Sequence, residues 1–215
     1  MAYPTVSAPY GLKPVNLIGG QAYAGSTRLL KIASAYAANI FYGDVVKLVS
    51  SGTIEKDTGT TTGTPIGVFL GCTYTDPSSK QPRWSQYWPT GTVASDAQAY
   101  VVDDPDVLFK VAAVSGTTVV AFYGQTLIGT NVSLVQNSGS TNTGDSAVAI
   151  DGTSAATTVS LPIRIIAGVP DTVNASGEFC EFICKWNMPY ITLVEGTPNV
   201  VTFAGGHQYL NPTGV

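Results

Sequence analysis

Glycine and proline interrupt this sequence so often that no stretch between them reads as a long amphipathic helix. The chain carries 23 Gly and 13 Pro among its 215 residues. Between these breakers lie short runs in which apolar residues alternate with polar ones, and Val and Thr recur. That is the pattern of half-buried strands joined by turns, and it predicts an all-β protein with little helix. "GDVVKLVSSGTIEKD" (43–57) reads as a hairpin turning at Ser50 to Gly52. "RLLKIA" (28–33), "IGVFLGCTYTD" (66–76), "AQAYVVDD" (97–104) and "VLFKVAAV" (107–114) read as further strands, the last two joined by an Asp-Pro turn. "TLIGTNVSLVQ" (126–136) reads as a short helix leading into a strand. "SAVAI" (146–150), "LPIRIIAGVP" (161–170), "EFCEFICKWN" (178–187) and "YITLV" (190–194) continue the texture. "PSSKQPRWSQYWPTGT" (77–92) reads as a long irregular connection.

This divides the chain into three parts. Residues 1–26 form an extended N-terminal arm, because Pro4, Pro9 and Pro14 resist helix. Residues 27–195 form a β-rich body, either two barrels or one barrel with an insertion near 115–145, with no strict internal repeat visible. Residues 196–215 form a glycine-rich C-terminal tail.

Charge excludes several functions. Charged residues make up 11% of the chain, less than half the usual share, and the net charge is −4. So little surface charge suits a protein whose surface is largely covered by neighbours. Ten Lys and Arg are scattered without a basic run, which speaks against a nucleic-acid groove. No stretch of about 18 apolar residues predicts a membrane span, and "MAYPTVSAPYGLKP" lacks the pattern of a secretory signal.

No catalytic constellation stands out. The one histidine, His207, lies in the tail and is a poor candidate for a general base. Cys180 and Cys184, four apart on one strand, would sit roughly 13 Å apart, too far for a disulfide. With Cys72 they are expected to be buried thiols. Asp103, Asp104 and Asp106 form an acidic turn without calcium-loop spacing, so no metal and no cofactor are expected. "NVS" at 131 and "NAS" at 174 match glycosylation acceptors by chance.

The aromatic run "RWSQYWP" (83–89) remains. Trp84, Tyr87 and Trp88 fit three roles: a cap on a barrel, an anchor at a subunit interface, or a stacking platform for sugar, in that order.

The segments "GDVVKL", "GTIEK" and "TPIGVFLGCTY" are similar to the barrel core of head decoration (cement) proteins of tailed bacteriophages. "SQYWPTGTVASDAQAYVVDDPDVLFKV" and "GTNVSLV", "GDSAVAID", "LPIRIIAGV" resemble the structural proteins of aquatic phages, cyanophages above all. The resemblance covers roughly residues 11 to 187. It implies a β-barrel or β-sandwich of the decoration-protein β-tulip type and a non-enzymatic role on the outer surface of the virion capsid, with assembly in the host cytoplasm. It implies the major capsid protein and further copies of the chain, as a homotrimer, as partners, with neither nucleic acid nor membrane. No catalytic residues carry over. The expected contact residues are Tyr3, Pro4, Pro9 and Tyr10 of the arm and Arg83, Trp84 and Tyr87 of the aromatic run. Trp88 is expected to fix its loop on its own barrel, and Trp84 to face a neighbour.

Overall fold

The computed structural model describes residues 9–117, 119–120, 123–172, 179–187, 190–193, 201–204 and 206–210. It is nearly all β. The strands in chain order are β1 (Lys13–Leu17), β2 (Arg28–Ile32), β3 (Val45–Leu48), β4 (Thr53–Lys56), β5 (Gly67–Thr75), β6 (Pro82–Ser85), β7 (Gln98–Val102), β8 (Val107–Ser115), β9 (Val119–Val120), β10 (Asn131–Val135), β11 (Ala149–Ala156), β12 (Ile163–Gly168), β13 (Glu181–Trp186), β14 (Tyr190–Leu193) and β15 (Val201–Ala204). A 3-10 turn, Gln125–Leu127, leads into β10, where the sequence suggested a short helix, and a second, Gln208–Leu210, lies near the C-terminus.

The body is two closed barrels. In the first, β2 pairs in parallel with β4, and antiparallel pairs β4–β3, β3–β5, β5–β7 and β7–β2 complete a ring of five. In the second, β8 pairs in parallel with β11, and β11–β10, β10–β12, β12–β13 and β13–β8 complete the same ring. The strand β6 extends the first ring along β5, while β1 and β9 extend the second along β8. Closing each ring removes the exposed edges that a short open sheet would carry.

The two rings agree in register except that β10–β11 shifts between Asn131 and Ser133 where β3–β4 runs without a shift. Arg28, Leu29, Leu30 and Lys31 face Val101, Tyr100, Ala99 and Gln98. Their counterparts Phe109, Lys110, Val111 and Ala112 face Cys184, Ile183, Phe182 and Glu181. The pair Val68↔Val102 answers to Arg164↔Lys185, and the register slips between Phe69 and Gly71 as it does between Ile165 and Ala167. Val45↔Val68 answers to Asn131↔Arg164, Leu48↔Ile54 to Leu134↔Ile150, and Ile32↔Ile54 to Ala113↔Ile150. The body is therefore one barrel built twice in tandem.

Alternation then fixes what fills each barrel. Ile32, Val46, Ile54, Phe69, Ala99 and Val101 belong to the first core. Their counterparts Ala113, Val132, Ile150, Ile165, Phe182 and Cys184 belong to the second. Val45, Val68 and Val102 point the other way, out of the first barrel, and are fully buried in the second cluster. This outward valine row joins the barrels. Asp44 adds a polar joint: its buried carboxylate accepts from the Phe41 N–H (2.9 Å) and the Ser146 hydroxyl (2.6 Å), and Lys56 Nζ lies at 3.0 Å.

Candidate interaction surface

The aromatic run is not one irregular loop, as the sequence suggested. After β5 the chain turns on Asp76, whose Oδ1 accepts from the N–H groups of Ser78 (2.7 Å) and Ser79 (3.1 Å). Those bonds, with Arg83 nearby, hold the Asp76 carboxyl below the usual carboxylate range. Lys80 takes a left-handed φ of 57° to close the turn. The chain then returns as β6, which pairs Cys72↔Ser85, Thr73↔Trp84 and Tyr74↔Arg83.

This hairpin separates the two tryptophans. Trp88 is fully buried in the first core, donates from Nε1 to the Tyr36 carbonyl (3.4 Å) and sets its ring edge-on to Tyr74 at 5.5 Å. Trp84 is 61% exposed. Its indole rests on Gly71, where φ is +137° and a Cβ would come within 3.2 Å of Cζ2. A glycine there lets the ring lie close against the backbone of β5 while most of it stays exposed. Arg83 is exposed and reaches 3.6 Å from Asp76. Tyr87 turns inward and stacks on Phe41 at 5.6 Å.

The arm residues divide as well. Tyr3 and Pro4 lie outside the described residues. Pro9 and Tyr10 are half-buried, Leu12 is fully buried, and Lys13–Leu17 is the strand β1 on β8. From Pro9 onward, therefore, the described N-terminal stretch is built onto the second barrel. Tyr10 covers the outer wall made by Ala112, Val114, Val135, Ala149 and Phe179. Its hydroxyl donates to the buried Glu181 carboxylate, which also pairs with Lys110 Nζ at 3.2 Å. Lys13 Nζ sits 4.8 Å from the centre of the Tyr10 ring. Burial first, then Glu181, push the Tyr10 phenol far up.

Sequence reading missed the C-terminal clip. His207 does not sit in a loose tail: it is fully buried, and burial drives its pKa down to about 4. The next residue explains why. The Gln208 side chain imitates a strand, with Oε1 accepting from the Leu48 N–H (2.6 Å) and Nε2 donating to the Leu48 carbonyl (2.9 Å), while its own N–H donates to the Pro65 carbonyl (2.8 Å). Arg28 lies 5.7 Å over the Tyr209 ring and is paired with Asp103. A Gln side chain doing backbone work leaves no periodic signal in a sequence.

The buried groups offer little chemistry. Cys72, Cys180 and Cys184 are buried thiols, and burial raises Cys72 to about 12. Asp103 is committed to Arg28, and Asp104 accepts from the Asp106 N–H at 2.9 Å. Among the described residues no group of three His, Cys, Asp or Glu is placed to hold a metal ion. Ser146, Asp44 and Lys56 come together, but Ser146 is 2% and Asp44 0% exposed, so a substrate has no access to them. The described surface thus offers contact: a tandem barrel whose most exposed ring is a glycine-seated tryptophan. No protein-family model, curated protein or solved structure matches the chain.

Proposed function

We propose that the chain is a non-enzymatic virion structural protein that decorates and cements a phage capsid, bound over junctions between major capsid subunits. The observation that carries this reading is Trp84: a pre-seated, exposed indole beside an exposed Arg83 on a strand outside the closed ring. Trp and Arg are the residues most enriched where protein contacts are strong, and a ring already held in place loses little freedom on binding. The resemblance of the Gly-Asp-Val-Val hairpin and the Pro-Ile-Gly-Val strand to decoration proteins supports it. So do the low charge and the tandem rigid barrels, which suit a part clamped between neighbours. Several modest contacts per assembly would add through effective concentration. A place in the tail, with the same structural role, is the nearest alternative.

The test is electron cryomicroscopy of the virion that carries this protein. Paired barrels on the outer capsid face, with β6 against a neighbour, are expected. Their presence in the tail would move the role there, and their absence from the particle would end the proposal.

One feature favours a second reading. The open face of Trp84, with Thr73 and Gln98 on the adjoining strands, is also a stacking platform for a sugar ring. Trp88 and Trp186 are buried, so a glycan that binds there should change only the Trp84 emission. A glycan array without hits would remove this reading.

A further inference from the structure

The duplicated barrel carries an internal control. One outer wall occurs twice, and only one copy is covered. In the second barrel Ala112, Ala149 and Glu181 point outward, yet each is less than 5% exposed because Tyr10 and its neighbours lie on them. The pairings place Lys31, Thr53 and Gln98 at the corresponding points of the first barrel. Lys31 is exposed there, and Thr53 and Gln98 are half-buried. On the same bare wall Leu29, paired with Tyr100, is 51% exposed, and Trp84 extends it along β6. Apolar groups left open on a wall that is covered in the sister barrel mark a place for an occupant.

We infer that this bare wall receives residues 1–8 of a second copy of the chain. The chemistry of the segment fits. "MAYPTVSA" has no charged side chain and carries Tyr3 between Ala2 and Pro4, as Tyr10 follows Ala8 and Pro9. Tyr3 would stand to Gln98 as Tyr10 stands to Glu181, a neutral partner replacing a charged one. Proline beside the ring restricts the free segment and lowers the ordering cost of docking.

Position argues for a second copy. The described chain begins at Pro9, against the second barrel. The first barrel meets the second through Val45, Val68 and Val102. Lys31, Gln98, Thr73 and Trp84 pair in a row about 13 Å further along the strands, at the end remote from that junction. The assembly forms in solution, so its test is independent of any capsid.

Acrylamide quenching isolates the wall, because Trp84 is 61% exposed while Trp88 and Trp186 are at most 1% exposed. The experiment compares the full chain, a chain lacking residues 1–8, and Trp84→Ala, by sedimentation and quenching across concentration. At concentrations where the full chain is monomeric, an unchanged melting temperature confirms that the barrels of the shortened chain are intact. The full chain should associate as concentration rises, with quenching falling in step. The shortened chain should stay monomeric and quench fully, and the peptide MAYPTVSA added to it should restore protection. Trp84→Ala should weaken association about tenfold or more. A full chain that stays monomeric at every concentration overturns the inference, as does a shortened chain that associates equally well. Protection of Trp84 by residues 1–8 in a monomer also overturns it, because the segment would then lie on its own barrel.

Discussion

The two barrels share the order and direction of their ring strands and differ on their outer faces. The row Val45–Val68–Val102 leaves the first barrel and is buried against the second. The corresponding row on the second barrel is Asn131–Arg164–Lys185, where Arg164 Nε donates to Asn131 Oδ1 at 2.9 Å and the Arg164 side chain is exposed. A repeat that docked its sister through the same face twice would build an open-ended array, whereas the second barrel presents a polar row at that position. The wall under Tyr10 differs in the opposite sense: covered in the second barrel, bare in the first. Ladder register and interior packing therefore fix the barrel, while each outer face is set by what lies against it.

The sharpest way to break this comparison is one change at matched positions. Val68→Arg places a charge in the shared core, and we expect a loss on the order of 4 kcal/mol or more, seen as a chain that melts far lower or does not fold. Arg164→Val, its counterpart, only leaves the buried Asn131 Oδ1 short of a donor and should cost about 1–2 kcal/mol in urea unfolding. Comparable losses in both would show that the two faces are not distinguished as described.

A second contrast lies within the first barrel. Trp88→Ala empties a fully buried site and should lower stability by about 3–5 kcal/mol. Trp84→Ala, on the open face, should stay within about 0.5 kcal/mol. Chemical denaturation with far-ultraviolet detection reads both, and similar losses would place Trp84 in the core.

Much of the interior was legible in the sequence, and much of the exterior was not. Val45 to Val49, Gly67 to Thr75 and Val107 to Val114 are short, mostly apolar runs between turn residues, and each supplies a strand. β6 escaped because Pro82, Arg83 and Trp84 look like loop residues, and the Asp76 turn that makes them a strand depends on side-chain geometry. The repeat escaped because matched interior positions conserve filling rather than identity. Ile32 and Ala99 in the first barrel become Ala113 and Phe182 in the second, a large residue exchanging places with a small one across paired strands. Such swaps keep core volume and hide the likeness. Of the candidate contact residues, Trp84 and Arg83 are exposed, on opposite faces of β6, whereas Tyr10 and Tyr87 are engaged within the chain.

The clip on the first barrel has a pH signature that nothing in the second repeats. His207 has a folded pKa near 4 against an ordinary 6.5, so the unfolded chain binds the extra proton first. Its contribution is complete above pH 6.5, falls as pH drops from 6.5 to 4, and is lost below that. The total is at most about 3 kcal/mol. Melting temperatures over this window should therefore slope for the native chain and flatten for His207→Gln. An equal slope in the variant would assign the effect to other groups.

The smallest contrast concerns the cover on the second wall. In Tyr10→Phe the ring still packs on Ala112 and Ala149, but the bond to Glu181 is gone. Glu181 keeps Lys110 at 3.2 Å, so its charge stays compensated and only one acceptor is left short. The loss should be about 1–2 kcal/mol, well below that of removing the ring. Gln98→Glu puts the same carboxylate on the uncovered wall, where water solvates it, and should change stability by less than about 0.5 kcal/mol. The difference between the two measures what the phenol contributes as a cover. If Tyr10→Phe unfolds at the native urea midpoint, packing alone holds the N-terminal stretch down, and the two walls differ only in what happens to lie on them.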